Sequence, residues 1–277
     1  HMSLHFIDVG YGDATLITGH GYACLVDGGY PTQTEQLLAY LSDKGIRHLD
    51  ATVLTHPHPD HIGGLHGVLE SGITTDAIYC PWALDSHEIP KGFRDMVMKK
   101  KIPFNEIRSG SVIKINDFIE LNVLHPKTIW PDMNDSSMVL YYAYTSPDFR
   151  IGTQEDCVKN WGKEPEKRIT HTSVLLTGDI GPAAQERIEN EYKELFPVTI
   201  LKAPHHGGHS RETFYQLARP EVTIVSDGIN PYGNPWQSTL EAAEKWSSQV
   251  HRLSESGSVI VEIHGPKFSS EFSVITE

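Results

Sequence analysis

The segment THPHPDHIGG spans residues 55–64 and holds His56, His58, Asp60 and His61 within six positions. Along an extended chain, His56 and His58 point the same way because they are two apart. Asp60 and His61 follow directly and can address a second point in space. Pro57 and Pro59 each fix φ and remove a backbone donor, which pre-organises the segment. Imidazoles and carboxylates in this mixture suit Zn, Mn or Fe. The competing reading is a polar surface loop with incidental histidines, but charged and polar ligand types seldom crowd so tightly without a use. The apolar, β-branched stretch 51–55 precedes the motif and a short helix over 62–70 follows it. The ligands would then sit where a buried strand ends and a helix begins, the usual place for a site in a layered α/β fold.

Two further segments offer the same chemistry. LLTGD ends a predicted strand at Asp179, and KAPHHGG ends the next one at His205 and His206. A carboxylate at a buried strand end is costly unless paired or metal-bound. Asp179 could instead cap the helix that follows, and the histidine pair could belong to a polar loop. Asp27, in LVDGG, is a candidate to orient a ligating imidazole. His125, in VLHP, ends a strand and could approach the site. His66 reads as packed or exposed on a helix, and His5, His20, His48, His87, His171, His251 and His264 have no ligand spacing.

The elements that must position these groups alternate between short strands and helices. Residues 4–9, 13–18 and 22–26 read as a meander, 33–44 as a helix, 76–80 as a strand, 91–101 as a basic helix, and 112–115 and 118–124 as strands. A second block begins with strands over 138–145 and 171–179. A helix over 181–195, a strand over 198–206 and helices over 211–218 and 235–248 around strand 221–226 follow, and strands over 257–264 and 268–275 close it. Both blocks run from meander to strand–helix units, which predicts two similar α/β halves packed sheet to sheet with helices outside. No Pro/Gly/Ser linker separates them, so residues 3–277 read as one domain, with His1-Met2 an expression scar on a piece excised from something larger. Residues 146–170 are polar, contain Pro and Gly, and read as an insertion, either a flap near the site or inert decoration.

Composition bounds the rest. The 277 residues carry a formal charge of −13, which disfavours broad nonspecific binding to nucleic acid through Lys and Arg clusters. Divalent cations at a site would offset that charge locally. Cys24, Cys80 and Cys157 stand far apart and do not form a disulfide framework. No run approaches the roughly 20 apolar residues of a membrane span, and no secretory signal is visible, which leaves the compartment open.

H-x-H-x-D-H after an apolar strand, then G-D, then a late histidine, resembles the metallo-β-lactamase superfamily. FIDVGYGDATLI (6–17), LVDGG (25–29), THPHPDHIGG, NDSSMVL (134–140), LLTGDI (175–180), LKAPHHGG (201–208) and NPYGNP (230–235) are together similar to its ComEC-like group, the soluble C-terminal domain of a DNA-uptake channel. The resemblance implies an α/β fold of the αββα sandwich type, with mixed sheets and helices outside. It also implies a dinuclear hydrolase of phosphodiesters such as single-stranded DNA, and a membrane channel domain elsewhere in the full-length protein. Carried over, His56 and His58 would hold one divalent metal, Asp60 and His61 the other, and Asp179 would bridge. One of His205 and His206 would complete the second site, with His205 favoured as ligand and His206 as the acid facing substrate. Two such ions generate the attacking hydroxide and clamp the attacking and leaving oxygens. Asp60 would orient the nucleophile and Lys202 stabilise charge. Two positions depart from the pattern. NDSS replaces a third histidine of the first metal, leaving Asn134 or Asp135 in that role, and Asn234 replaces the histidine of a YGHP turn near the phosphate. A phosphorylcholine-esterase branch shares much of the motif set, so hydrolysis of a small ester or phosphate ester competes with a nuclease. So does a catalytically weak metal-binding domain.

Overall fold

The computed structural model of the protein describes residues 2–19, 21–116, 119–143, 172–264 and 271–277. The expected insertion at 146–170 lies outside the described residues. The first sheet has eight strands in the order β17 (Glu271–Thr276), β16 (Val259–His264), β1 (Met2–Phe6), β2 (Thr15–Gly19), β3 (Tyr22–Val26), β5 (Ala51–Val53), β7 (Ile78–Cys80) and β8 (Phe104–Glu106). It is antiparallel from β17 to β3 and parallel from β3 to β8. The second has seven, in the order β15 (Gln249–Arg252), β14 (Val222–Val225), β13 (Ile200–Lys202), β12 (Ser173–Leu176), β11 (Val139–Ala143), β10 (Glu120–His125) and β9 (Val112–Lys114). It is parallel from β15 to β12 and antiparallel beyond. β4 (His48–Leu49) and β6 (Thr74–Thr75) pair as a two-stranded ribbon beside the first sheet. The mixed sheets are the expected ones, with one change of partner. The last two strands return to the first sheet, where β16 pairs with β1.

Strand alternation shows why the strands read as continuous apolar runs. In β3, Tyr22, Cys24 and Val26 face the layer between the sheets, where they meet Leu140, Leu176 and Ile224. Ala23 and Leu25 face the other way, onto helices α1 (Thr34–Asp43), α2 (Pro59–Glu70) and α3 (Lys91–Lys100) through Leu37, Leu65 and Phe93. In β11, Leu140 and Tyr142 point inward. Val139 and Tyr141 point out to α4 (Pro182–Glu191), α5 (Glu212–Ala218) and α6 (Gln237–Trp246) through Ile188, Phe214 and Ala243. Each sheet is thus buried on both faces, and the layers run helix, sheet, sheet, helix. Among the described residues, no helix is long and apolar enough to cross a membrane.

The helix after the histidine motif begins earlier than expected. Pro59 is its first residue, where a missing N–H costs nothing, so Asp60 and His61 lie in its first turn. Gly64 lets this helix press on the loop after β3: a Cβ there would stand 1.8 Å from the Gly28 carbonyl oxygen. That contact fixes the height of Asp60 and His61 over the strand ends.

Candidate metal centre

Four parallel strands supply the site from their C-terminal ends. Asp27 follows β3, Thr55 and His56 follow β5, Asp179 follows β12, and His205 and His206 follow β13. The two sheets bring these ends together, so Asp60, His61, Asp179 and His206 each offer a ligand atom within 4.8 Å of the others. All four residues are buried.

The two imidazoles are aimed alike. His61 Nδ1 donates to Asp27 Oδ2 at 2.8 Å, and Asp27 is held by the Thr55 amide (2.8 Å) and hydroxyl (2.6 Å). His206 Nδ1 donates to the Ser226 carbonyl at 3.0 Å. Both rings therefore turn Nε2 inward. His61 Nε2 lies 3.1 Å from Asp179 Oδ2, and His206 Nε2 lies 3.2 Å from both Asp179 Oδ2 and Asp60 Oδ2. His61 Nε2, His206 Nε2 and Asp179 Oδ1 are nevertheless buried without a hydrogen-bond partner. Lone pairs and carboxylate oxygens left like this in a protein interior call for a further partner, an ordered water or a cation. The donor set, two imidazole nitrogens and two carboxylates, fits a divalent metal.

The electrostatics agree. Burial pushes the His61 and His206 imidazoles down, but Asp179, with Asp27 for one and Asp13 for the other, outweighs it and raises both well above the usual histidine value. Burial pushes the Asp179 carboxyl up, but His206 and His61 hold it well below the carboxylate range. The pocket attracts positive charge, and a metal would compete with protons for it.

His56 and His58 form an adjoining pair. His56 is fully buried, with Nδ1 3.2 Å from the Ser137 hydroxyl and Nε2 2.9 Å from His58 Nδ1 and 3.8 Å from Asp179 Oδ2. Asp179 thus belongs to the four-residue cluster and lies 3.8 Å from the His56 ring. Asp179 is not a helix cap: Gly181 caps α4, and the Asp135 carboxylate accepts its amide at 2.8 Å. That amide engages one Asp135 oxygen, Oδ1. The Asn134 side-chain oxygen is buried without a partner.

Three expectations change in place. His206, not His205, joins the four-residue cluster, while the His205 side chain is 32% exposed with Nε2 3.8 Å from Asp179 Oδ2. Lys202 does not face a substrate. Its ammonium is buried, pairs with Asp13, donates to the Gly178 carbonyl at 3.2 Å and stands 3.8 Å from Asp179 Oδ1. Asn234 does not offer its amide to a phosphate, because both hydrogens are spent, on the Tyr11 hydroxyl (3.0 Å) and the His205 carbonyl (3.2 Å). Asn234 instead ties the rim together.

Asp13 was missed. It is buried, pairs with Lys202, accepts from the Ser226 hydroxyl, and stands 3.3 Å from His206 Nδ1. The available signal was a lone carboxylate between two glycine-flanked aromatic and apolar stretches, in GYGDATLI.

His125 belongs to the support rather than the site. Its Nε2 donates to the Asp135 carbonyl and its Nδ1 accepts from Arg187, each at 2.7 Å. Burial, with Arg187 beside it, lowers its pKa to about 4. The unfolded chain then takes up a proton near 6.5 that the native ring refuses. No penalty exists above that pH. Stability falls as pH drops from about 6.5 to about 4, by up to about 3 kcal/mol. His125→Gln, whose amide keeps one donor and one acceptor, should flatten this slope in denaturant titrations at pH 7 and pH 4.5; an unchanged slope would refute the assignment.

The chain belongs to the metallo-beta-lactamase superfamily, whose family model matches residues 7–144. It is 28% identical over 236 residues to ComE operon protein 3 of Bacillus subtilis (strain 168), covering 80% of this chain and 26% of that protein. It is 21% identical over 239 residues to Uncharacterized protein YcaI of Escherichia coli (strain K12), covering 84% and 26%. The chain spans about a quarter of the length of these curated relatives. The similarity to ComE operon protein 3 fits the ComEC-like motif set. Among solved structures, Igni18, a metallo hydrolase from Ignicoccus hospitalis, superposes with a TM-score of 0.56 at 16% identity, covering 95% of this chain and all of that one (100%). The metallo-beta-lactamase fold protein YhfI from Bacillus subtilis gives 0.55 at 14%, covering 99% and 100%. These two share the fold.

Proposed function

We propose that this chain is a metal-dependent phosphodiesterase that holds two divalent ions and acts on single-stranded DNA. The observation that carries it is the convergence of two imidazole Nε2 atoms and two carboxylates, buried and without hydrogen-bond partners on three of those atoms. Zn, Mn or Fe bound here would supply a water acidic enough to attack near neutral pH and a Lewis acid for the phosphoryl oxygens. Asp60, His61, Asp179 and His206 would hold one ion, and His56 and His58, with Asp179 close by, would hold the other. Asp27 and the Ser226 carbonyl fix the tautomers of His61 and His206, so that each ring offers a lone pair inward. His205, exposed at the mouth, is the residue able to pass a proton from Nε2 to the leaving oxygen. Lys202 and Asp13 balance charge beneath the site.

The net charge of −13 favours a second reading, hydrolysis of a small ester or phosphate ester. The test is metal content together with turnover of bis-p-nitrophenyl phosphate, phosphorylcholine esters and labelled single-stranded DNA, with and without EDTA. Two ions per chain and EDTA-sensitive cleavage of the diester and the DNA are expected. Cleavage of the small esters alone would select the second reading. Metal binding without any turnover would leave a binding domain.

A further inference from the structure

Three of the seven exposed large apolar or aromatic side chains of the described residues, Ile229, Tyr232 and Trp236, fall in one short loop. This loop adjoins the site, since Asn234 bonds the His205 carbonyl and the Trp236 amide bonds the Gly207 carbonyl. Exposed patches of this kind mark binding surfaces. The loop is also pinned. Asn230 Oδ1 accepts from the amides of Tyr232 (3.0 Å) and Asn234 (3.1 Å), and its Nδ2 donates to the carbonyls of Gly228 (2.8 Å) and Asn234 (2.7 Å). Tyr232 is therefore presented on a fixed backbone, with little ordering left to occur on binding.

Its ring opens a series that leads to the metal centre. Tyr232 and Tyr11 have centroids 5.7 Å apart at 35°, and Tyr11 and Tyr30 are 6.4 Å apart at 32°. Tyr11 lies 4.5 Å from the His206 imidazole. Tyr11 is 5% exposed and Tyr232 63%. A cage for a quaternary ammonium closes aromatic faces around the cation. These rings are tilted only about a third of a right angle from one another, and the outermost has a free face. That geometry suits a flat ring laid on top. Stacking also requires no Lys or Arg, which suits a chain of charge −13.

We propose that Tyr232, backed by Tyr11 and Tyr30, is a stacking platform for an unpaired nucleobase next to the phosphodiester held at the Asp60–His61–Asp179–His206 cluster, an inference that rests on the phosphodiesterase reading. Bases in a duplex are already stacked and paired, and exposing one costs energy. The platform selects single strands.

The test is fluorescence anisotropy with a labelled deoxythymidine oligonucleotide carrying phosphorothioate linkages to slow cleavage, titrated with the protein as purified. Tyr232→Ala should weaken binding by about 5- to 150-fold, the range for losing one base stack, and Tyr232→Phe should retain it. An oligonucleotide of abasic residues should bind wild type and Tyr232→Ala alike, and a duplex of the same length should bind more weakly than the single strand. Equal binding of thymidine oligonucleotide to wild type and Tyr232→Ala, or equal affinity for duplex, overturns the platform. So does phosphocholine binding that depends on Tyr232 when oligonucleotide binding does not. Tyr232-dependent oligonucleotide binding in a protein that fails to turn over bis-p-nitrophenyl phosphate would support the platform and count against the hydrolase.

Discussion

Asp179→Asn is expected to lower metal-dependent phosphodiester turnover by at least about 10³-fold, since removing even a hydrogen-bond partner of a metal ligand costs about 10- to 100-fold. Asp179 is the carboxylate that lies between the two imidazole sets, with Oδ2 3.1 and 3.2 Å from His61 and His206 and 3.8 Å from His56. Asn keeps the shape but brings an amide in place of a charge. The loss should appear in bound metal as well as in turnover, while circular dichroism and the unfolding transition report a folded chain. Near wild-type turnover by Asp179→Asn with metal present would refute the shared-ligand assignment.

Asp13→Ala is expected to destabilise the fold by about 3–5 kcal/mol, the range for breaking one partner of a buried ion pair. It leaves the Lys202 ammonium buried against the Gly178 carbonyl with only the more distant Asp179 as counter-charge. The cost comes from stranding that charge, so removing both charges should recover most of it. Asp13→Leu combined with Lys202→Met should lie well above Asp13→Ala in denaturant midpoint. Additive losses in Asp13→Leu, Lys202→Met and the double variant would mean that the pair is not coupled.

Most of the framework was legible because its signals are local. The continuous apolar runs of β3, β5 and β12 and the motifs at their ends marked strand ends facing one pocket. Asp27, placed by its position after β3, does orient His61. The division of labour between His205 and His206 was not legible for a backbone reason. Both residues take positive φ, 52° and 55°, where the alternation of an extended strand no longer applies. Spacing alone then cannot say which ring turns inward. Lys202 and Asp13 were misjudged or missed because they are 189 positions apart in sequence, one on β13 and the other in the loop before β2, and neither signals the other. The return of β16 to β1 depends equally on a long-range pairing.

The candidate metal centre lies on the seam between the two sheets: Asp60 and His61 come from the β3–β8 side and Asp179 and His206 from the second sheet. A cation there would work as a rivet. Its affinity for the native chain would be folding free energy, and each tenfold rise in free metal above the dissociation constant would add about 1.4 kcal/mol to stability. Catalytic loading and resistance to unfolding would then be one equilibrium, so that a chain starved of metal would be both idle and easier to degrade.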